Sequence, residues 1–260
     1  MKRLLFSIAG LMALITSNPL AAQKSFSIPM SGGTLKIIDV NEVVIEGGSG
    51  SEVKIVTDKE QDDADHDRAE GLRRINSIGQ SDNTGGIGLF MEKSGTDVTL
   101  TPISKMDNST YTVTVPAGVK VYYEHSTYNG RELVIRNNNS EIEANCSYNS
   151  VILEDTKSPL TIKTVYGRIE GNIGQIKAND AITLHSTYAL VDVAIPGATK
   201  ANVQMKTSYG EMYTDFNLTT EKSGDDMDCL TCKDVTGKIN GGGSLISLKS
   251  TYSNIYLRKK

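Results

Sequence analysis

The chain has 260 residues, a formal charge of −4 at pH 7, no Trp, four Phe and eleven Tyr. An acidic chain without a basic stripe is unsuited to binding nucleic acid or an anionic lipid surface, so composition argues against both partners. The lack of Trp also argues against a globular core built on large aromatic side chains, and the tyrosines become the residues to follow.

The first predicted element is an export signal. Met1–Gln23 begins with two basic residues, continues with the apolar stretch Leu4–Ile15 and ends in small residues. The pattern predicts a secretory signal peptide cleaved near Ala22, because the apolar stretch is shorter than the about 20 residues that span a bilayer; the alternative is a retained anchor. Cleavage moves the formal charge from −4 to −6. We expect a mature domain of residues 24–260, without a transmembrane segment, in the periplasm, on the outer surface or outside the cell.

Alternating apolar residues predict strands directly after the signal. In "LKIIDVNEVVI", Leu35 and Ile37 share one face, a turn follows at Asn41, and Val44 lies in the next strand. The segment "EVKIV" (Glu52–Val56) predicts another strand.

A charged insertion at about residues 57–86 interrupts the strands. It contains three aspartates at alternate positions from Asp63, which could offer carboxylates to Ca²⁺. An EF-hand loop would need Gly and Glu where Arg68 and Arg74 stand, so that interpretation fails. The insertion is more typical of a solvated loop or a short helix, and we predict no metal site.

From residue 128 onward the chain repeats itself around a tyrosine. The first four gaps between these tyrosines are 20, 18, 22 and 21 residues, and the last is 43. A small residue stands two positions before each tyrosine, and apolar residues recur at −6, −4, +3 and +5. The predicted tyrosine column consists of Tyr128, Tyr148, Tyr166, Tyr188, Tyr209 and Tyr252. The small residues at −2 are Ser126, Cys146, Thr164, Ser186, Thr207 and Ser250.

These offsets predict two strands with one buried face each, joined by a turn just after the tyrosine. A repeat of about 20 residues cannot bury its own apolar face, whereas stacked repeats can. We therefore predict an all-β fold, a single-chain right-handed parallel β-helix (solenoid) with coils of about 20 residues. The alternative is a β-sandwich, which would require hairpin turns every 8–12 residues.

The outer repeats are less regular. In the N-terminal segment Asn41 takes the tyrosine position and Val44 the +3 position. The Tyr128 repeat has Ser126 at −2 but a charged residue, Glu124, at −4.

The doubled gap before Tyr252 predicts one further coil. If Ile239 takes the +3 position, Thr236 stands in the tyrosine position and Cys232 at −4. The coils would then follow one another in chain order.

Parity predicts the orientation of the tyrosine column. Each tyrosine shares parity with the apolar residues at −4 and −6, so its ring should point inward or cap the corner as a structural ladder. The alternative is an exposed aromatic stripe that stacks sugar rings or docks a partner, because corners can break strict alternation.

The sequence offers no catalytic constellation. His66 lies in the charged loop, and His125 and His185 stand at −3, the outward parity, in coils about 14 Å apart. They could share neither a metal nor a proton. Outward charged residues that could serve a polysaccharide lyase or hydrolase are scattered: Glu141, Glu143, Lys163, Arg168 and Glu170. We predict no catalytic residue, no metal and no cofactor.

The three cysteines allow at most one internal disulfide. Cys146 occupies a buried −2 position, and Cys232 belongs to the coil predicted around Thr236, about 19 Å further on and too far for a bridge. Cys229 and Cys232 could close a local disulfide if the chain bends between them. The alternative is two free thiols.

Three stretches carry a family resemblance: "GGTLKIIDVNEVVIEGG", "VTVPAGVKV" and the paired "TVYGRI" and "TSYGEM". They resemble an exported bacterial family of adhesin-like proteins, a domain of unknown function. The resemblance covers roughly Gly32 to Lys260, apart from the insertion. It implies a β-helix and an adhesin-like role, and it carries over no catalytic or binding residue.

Two functional hypotheses follow. The first is a non-catalytic cell-envelope or secreted protein whose β-helix binds a glycan or an envelope protein, or serves as a spacer. The second is a β-helix polysaccharide lyase or glycoside hydrolase, which would need a groove with convergent acidic and basic side chains. The scattered charges favour the first.

Overall fold

The computed structural model describes residues 23–58, 72–220 and 233–260. Apolar side chains alternate with polar ones along most strands, and burial follows the same alternation. In Ala181–Ser186, for example, Ile182, Leu184 and Ser186 are buried, and the residues between them are partly exposed. The described residues contain strands and turns but no helix.

The strands are numbered in chain order. They are β1 (Lys24–Pro29), β2 (Thr34–Ile38), β3 (Glu42–Gly48), β4 (Glu52–Thr57), β5 (Leu89–Ser94), β6 (Asp97–Pro102), β7 (Thr110–Pro116), β8 (Lys120–His125), β9 (Glu132–Arg136), β10 (Ile142–Cys146), β11 (Ser150–Lys157), β12 (Leu160–Thr164), β13 (Ile169–Gln175), β14 (Ala181–Ser186), β15 (Val191–Ile195), β16 (Ala201–Thr207), β17 (Met212–Thr214), β18 (Thr219–Thr220), β19 (Lys233–Ile239), β20 (Ser244–Ser250) and β21 (Ile255–Lys259).

The strands form two sheets. Sheet 1 has the order β1-β4-β7-β3-β9-β11-β13-β15-β21-β17, and sheet 2 has the order β18-β19-β16-β20-β14-β12-β10-β8-β2-β6-β5. Neighbours pair in parallel through the middle of both sheets. Antiparallel pairs occur only toward the ends of the sheets within the described residues. The all-β prediction is confirmed, and the mostly parallel pairing differs from the hairpins that a β-sandwich would require.

A strand of sheet 2 followed along the chain by a strand of sheet 1 forms one rung. In spatial order the rungs numbered 1 to 8 are β6–β7, β2–β3, β8–β9, β10–β11, β12–β13, β14–β15, β20–β21 and β16–β17. Rungs 3 to 6 follow the chain, but rung 2 precedes rung 1 in the sequence, and rung 7 follows rung 8. The expectation that coils stack in chain order is therefore wrong at both ends.

The coil predicted around Thr236 does not exist. Its described residues Lys233–Ile239 form β19, which runs antiparallel to β16, with Thr236 opposite Gln204 and Ile239 opposite Ala201. The doubled tyrosine gap is explained by this returning strand. Without this coil, the predicted distance of about 19 Å between Cys146 and Cys232 no longer follows.

Two registers also differ from prediction by one residue. Val43, not Val44, aligns with Leu133 of rung 3, which pairs with Val151 of rung 4. His125, not Ser126, aligns with Cys146. Both shifts occur where the corner between the two strands of a rung departs from its usual length.

One apolar core lies between the sheets. It is built mainly from Ile, Leu and Val, and residues such as Leu184, Val191 and Ile246 are fully buried. β-Branched side chains suit the pleated inner faces of sheets. Truncating a buried Leu or Ile to Ala in such a core costs about 2–5 kcal/mol.

Only part of the charged insertion is described. Within it Ile75 forms an isolated bridge with Ser81, and Asp82 accepts hydrogen bonds from the backbone amides of Thr84 and Gly88. Asp63, and the alternating aspartates that follow it, lie outside the described residues, as do residues 1–22 of the predicted signal. No described helix is long and apolar enough to cross a membrane.

Candidate functional site

The tyrosines of rungs 4 to 8 stand on the outside of the corner between the two sheets. Their exposed fractions range from 44% for Tyr148 to 65% for Tyr209. Parity predicted that each ring points inward or caps the corner. The rings do not point inward, because the chain changes direction at the corner and alternation is lost there; they stand on the corner itself. The residues at −2 remain inside: Cys146, Thr164, Ser186, Ser250 and Thr207 are all buried.

The hydroxyl at −2 holds the corner in place. The Ser186 hydroxyl accepts a hydrogen bond from the amide of Ala189 at 3.1 Å and donates to the carbonyl of Gly167, one rung away, at 2.9 Å. Ser250 likewise accepts from Ser253 and donates to Ala189 of rung 6. Thr164 and Thr207 repeat both bonds. Each of these hydroxyls therefore satisfies one amide in its own rung and one carbonyl in the rung numbered one lower.

The five outward tyrosines form one continuous stack. We call Tyr148, Tyr166, Tyr188, Tyr252 and Tyr209, in that spatial order, the tyrosine stack. Neighbouring ring centroids are 4.9–5.0 Å apart, and ring planes differ by 4–20°. The order 188–252–209 again shows that rung 7 lies between rungs 6 and 8.

This geometry decides what the stack can present to a ligand. Both faces of Tyr166, Tyr188 and Tyr252 are covered by neighbouring rings, because spacings near 5 Å leave no room for another ring. Only ring edges and phenol hydroxyls face solvent along the row. A sugar can stack on a ring face only at the two ends, on Tyr148 or Tyr209.

Tyr128 is not part of the stack. Its ring is 74% exposed. Ten positions separate Tyr123 from Leu133 in rung 3, whereas seven separate the aligned residues Leu184 and Val191 in rung 6. The longer corner carries Tyr128 away from the row.

His125 points inward, contrary to the prediction of an outward position. It is 1% exposed, and its Nε2 lies 2.9 Å from Oδ1 of Asn41. Asn149 reaches past rung 3 and donates to the Asn41 carbonyl and to the Tyr123 hydroxyl, each at 3.0 Å. Burial lowers the pKa of His125 below its ordinary value, against the opposing effect of the Asp39 carboxylate. In rung 3 this polar cluster stands where rungs 5 to 8 have the hydrogen-bonded hydroxyl at −2.

A shallow groove runs beside the corner on the outer face of sheet 2. Lys163, Val165, His185 and Thr187 line its middle, and Glu124 lies toward rung 3. His185 points outward as predicted. The predictions from sequence did not include the side-by-side placement of Lys163, His185, Lys249 and Lys206, although all four stand three positions before a tyrosine in the repeat.

The charged residues considered for a lyase do not converge. Glu141, Glu143 and Lys163 flank or lie on sheet 2, whereas Glu170 lies on sheet 1 and Arg168 directly precedes that strand. Arg168 pairs with Glu170 at 2.7 Å, and Glu141 pairs with Lys120 at 2.8 Å. Lys120 and Glu141 belong to adjacent rungs, whereas Arg168 and Glu170 stand two residues apart in the chain; both pairs lie on a solvated face.

The thiol that the structure describes is not poised for chemistry. Cys146 is buried, as predicted, and free, and burial raises its pKa to about 12. A thiol with so high a pKa is a poor nucleophile at neutral pH. Cys229 and Cys232 lie outside the described residues, so their disulfide stays a prediction. Among the described side chains, no group of three or more His, Cys, Asp or Glu is arranged to hold a metal.

Comparison with known proteins gave two structural likenesses. No family model and no curated protein matches the chain. The chain is similar to a "putative cell adhesion protein" from Clostridium sporogenes ATCC 15579, at 10% identity and a TM-score of 0.46, over 92% of this chain and 100% of that one. It is also similar to a "putative adhesin" from Bacteroides fragilis NCTC 9343, at 9% identity and a TM-score of 0.27, over 93% of this chain and 99% of that one.

Proposed function

We propose that this protein is a non-catalytic, adhesin-like binding module of the bacterial cell envelope, exported to the periplasm, the outer surface or the medium. Its scaffold is a right-handed parallel β-helix, in which each rung is one coil. Export rests on the signal pattern of Met1–Gln23, and the motifs that resemble adhesin-like proteins favour the same role.

The observation that carries the proposal is the tyrosine stack. Five large aromatic side chains stand in a row on the surface, each at least 44% exposed. Contiguous exposed apolar surface on a soluble domain commonly marks an interaction site. The phenol hydroxyls add a row of groups that can donate and accept hydrogen bonds.

The arrangement favours binding over catalysis. The same side chains recur at equal spacing along the axis, whereas a hydrolytic site needs different groups that converge on one bond. The acidic and basic residues that could act on a polysaccharide lie on both sheets, and Glu141, Arg168 and Glu170 form ion pairs with neighbouring side chains. A repeating surface suits a repeating or elongated ligand.

The test combines binding with a parallel assay for cleavage. Residues 24–260 would be applied to a glycan array and to envelope fractions, and the release of reducing ends would be measured on the same glycans. We expect binding without release. Release of reducing ends would instead support the lyase or hydrolase alternative.

A matched pair of variants locates the surface. Tyr166→Ala with Tyr252→Ala removes two rings from the stack, whereas Tyr213→Ala removes a 50% exposed ring that stacks on Tyr256 in sheet 1. We expect the double variant to lose binding and the control to retain it. Equal binding by both variants would exclude the tyrosine stack as the binding surface.

A further inference from the structure

Four basic or imidazole side chains lie side by side on the outer face of sheet 2. The parallel register aligns Lys163 with His185, His185 with Lys249, and Lys249 with Lys206. Neighbouring strands are about 4.8 Å apart, so the row spans roughly 14 Å along the axis. We call these four residues, in rungs 5 to 8, the cation column.

This repetition differs from the rest of the surface. Elsewhere adjacent rungs pair opposite charges: Arg136 with Glu154 at 3.4 Å, and Arg258 with Asp192 at 2.6 Å. Like charges directly opposite each other on neighbouring strands are destabilising. In the column Lys249 and Lys206 are such a pair, whereas His185, whose pKa is lowered, is a neutral imidazole at pH 7 between Lys163 and Lys249. On sheet 1 the aligned acids Glu170 and Asp192 each have an arginine partner.

Carboxylates near the column offset little of its charge. Lys206 lies 3.7 Å from Asp234 of β19, at the end of the row. Within the described ranges Lys163 and Lys249 have no ion-pair partner. Burial lowers the pKa of His185, and the positive charges of Lys249 and Lys163 lower it further, which reflects the local positive field.

The columns on either side of the cations are neutral and polar. Two residues earlier in each strand stand Thr161, Thr183, Ser247 and Gln204, aligned with one another. Three residues later in each repeat stand the tyrosines, whose hydroxyls and ring edges face solvent. Beyond rung 5 the same face becomes acidic at Glu124 and Glu143 of rungs 3 and 4, so the positive strip is confined to four rungs.

We propose that this strip binds a linear acidic polysaccharide, one carboxylate-bearing sugar chain lying parallel to the axis of the stack. The cation column would meet the carboxylates, and the hydroxyl, amide and phenol groups on both sides would bond the sugar hydroxyls. The inference rests on the proposed binding function and assigns its ligand class and its residues.

Other polyanions fit the surface less well. Single-stranded nucleic acid binds by stacking bases on free aromatic faces, and the inner rings of the stack have none. An anionic lipid surface is wide, so it would also meet the acidic side chains beside the strip, such as Glu124 and Glu143, whereas a single sugar chain would meet the strip alone. The cation column is one side chain wide, which fits a single polysaccharide chain.

The experiment compares one polymer in two charge states. Binding of residues 24–260 to polygalacturonate would be measured beside its fully methyl-esterified form, which keeps the sugars and removes the charge. A single-stranded oligonucleotide and phosphatidylserine vesicles would form further arms. We expect binding to polygalacturonate that weakens with salt and much weaker binding in every other arm.

Charge-matched variants test the residues. Lys163→Gln with Lys249→Gln should weaken polygalacturonate binding by about tenfold or more, as expected for the loss of two charge-assisted contacts. Lys54→Gln with Lys93→Gln removes two exposed lysines from β4 and β5 near the other end of the stack and should leave binding unchanged. Thermal melting of both variants confirms that each is folded.

The outcomes separate the two proposals. Equal binding to the esterified polymer, preference for the oligonucleotide or the vesicles, or no effect of the Lys163 and Lys249 changes would overturn the acidic-polysaccharide assignment. Binding to neutral glycans that depends on the tyrosine stack alone would overturn that assignment and leave the binding function standing. No binding to any glycan or envelope fraction would overturn both.

Discussion

The chain passes from sheet 2 to sheet 1 differently at the corner of rung 3 and at the corners of rungs 4 to 8. In rungs 4 to 8 the corner is short and the tyrosine joins the stack. In rungs 5 to 8 a buried hydroxyl bonds one amide in its own rung and one carbonyl in the neighbouring rung, and in rung 4 the buried Cys146 stands at that position. In rung 3 His125 takes the place of the hydroxyl, the corner is three residues longer, and Asn41 and Asn149 supply the missing bonds. Tyr148 joins the stack without a hydroxyl at −2, so the difference indicates that the short corner places a tyrosine in the stack and that the hydroxyls stabilise this corner in rungs 5 to 8.

The largest expected effect comes from adding one methyl group to a regular corner. A Cβ at Gly167 would lie 1.7 Å from the Asn149 carbonyl oxygen, a backbone atom of the neighbouring rung that cannot move independently. We expect Gly167→Ala to lower the free energy of unfolding by about 3 kcal/mol or more, measured by urea denaturation.

Two controls belong to this substitution. At Gly130 in rung 3 the Cβ would meet side-chain atoms of Asn149 and His125, which can shift, so Gly130→Ala should cost less than Gly167→Ala. Gly197 has nothing within 4 Å, and Gly197→Ala should change stability by less than about 0.5 kcal/mol. Equal costs at positions 167 and 130 would contradict the distinction between the corners.

The second effect concerns the hydroxyl itself. Ser186→Ala leaves one buried amide and one buried carbonyl without their partner, so we expect a loss of about 2 kcal/mol. Ser126 of rung 3 bonds Asp39 near the surface, and Ser126→Ala should cost less than about 1 kcal/mol. Urea midpoints of the two variants measure the difference, and similar midpoints would show that the ladder contributes little.

The third effect is the stability contributed by the stack. Tyr188 contacts a ring on each face, whereas Tyr128 stands outside the row. Tyr188→Ala should cost about 1 kcal/mol, and Tyr128→Ala less than about 0.5 kcal/mol. The same denaturation experiment applies, and a cost near that of a core residue at position 188 would mean that the ring is buried after all.

The smallest expected effect is the pH dependence of stability that His125 gives to the corner of rung 3. His125 has a lowered pKa in the folded state, so the unfolded chain binds a proton more readily and stability falls as the pH drops below the ordinary histidine value of about 6.5. His185 shifts in the same direction. Melting temperatures between pH 7 and 5.5 should fall less steeply in His125→Gln than in the wild type. His185→Gln, the matched control, should retain the contribution of His125. An identical slope for His125→Gln and the wild type would contradict the prediction.

The sequence predicted the inner columns because period-two alternation carries physical information within a strand. Leu184 and Val191 are buried as their offsets from Tyr188 required. Alternation could not predict the outward turn of Tyr188, because parity does not survive a change of chain direction.

The errors at rung 3 and beyond rung 8 have different causes. The small residue at Ser126 imitated the repeat, but the charged Glu124 at −4 was a signal that the alignment was off by one residue. Shifting it places Tyr123 and His125 inside, as observed. Thr236 was misplaced because a local pattern does not show which strands become neighbours: β20 pairs with β14 and β16, although β17, β18 and β19 lie between β16 and β20 along the chain.

The alignment of the repeats on their tyrosines could also have predicted the cation column. Lys163, His185, Lys206 and Lys249 all stand three residues before a tyrosine. They do not follow one another along the chain, and the charge of the whole protein is negative, so composition concealed a local positive strip. Only the strand register places the four side by side.

The interleaved order of rungs 7 and 8 has a consequence for how the protein is made. β16 and β17 emerge first, but β20 and β21 separate them from rung 6 in the finished stack. In a chain that emerges from its N-terminus, rung 8 must therefore either stay unpaired with rung 6 or pair with it temporarily and then detach, until residues 244–259 emerge and form rung 7. Loss of those residues would remove rung 7 from the interior of the fold and leave rung 8 without its neighbour. A simple solenoid, by contrast, loses only its end rung when it is shortened. Without residues 244–259, the four strands β14, β15, β16 and β17 each lack one of the strands with which they pair. Exposed strand edges of this kind are recognised by quality-control proteases and chaperones.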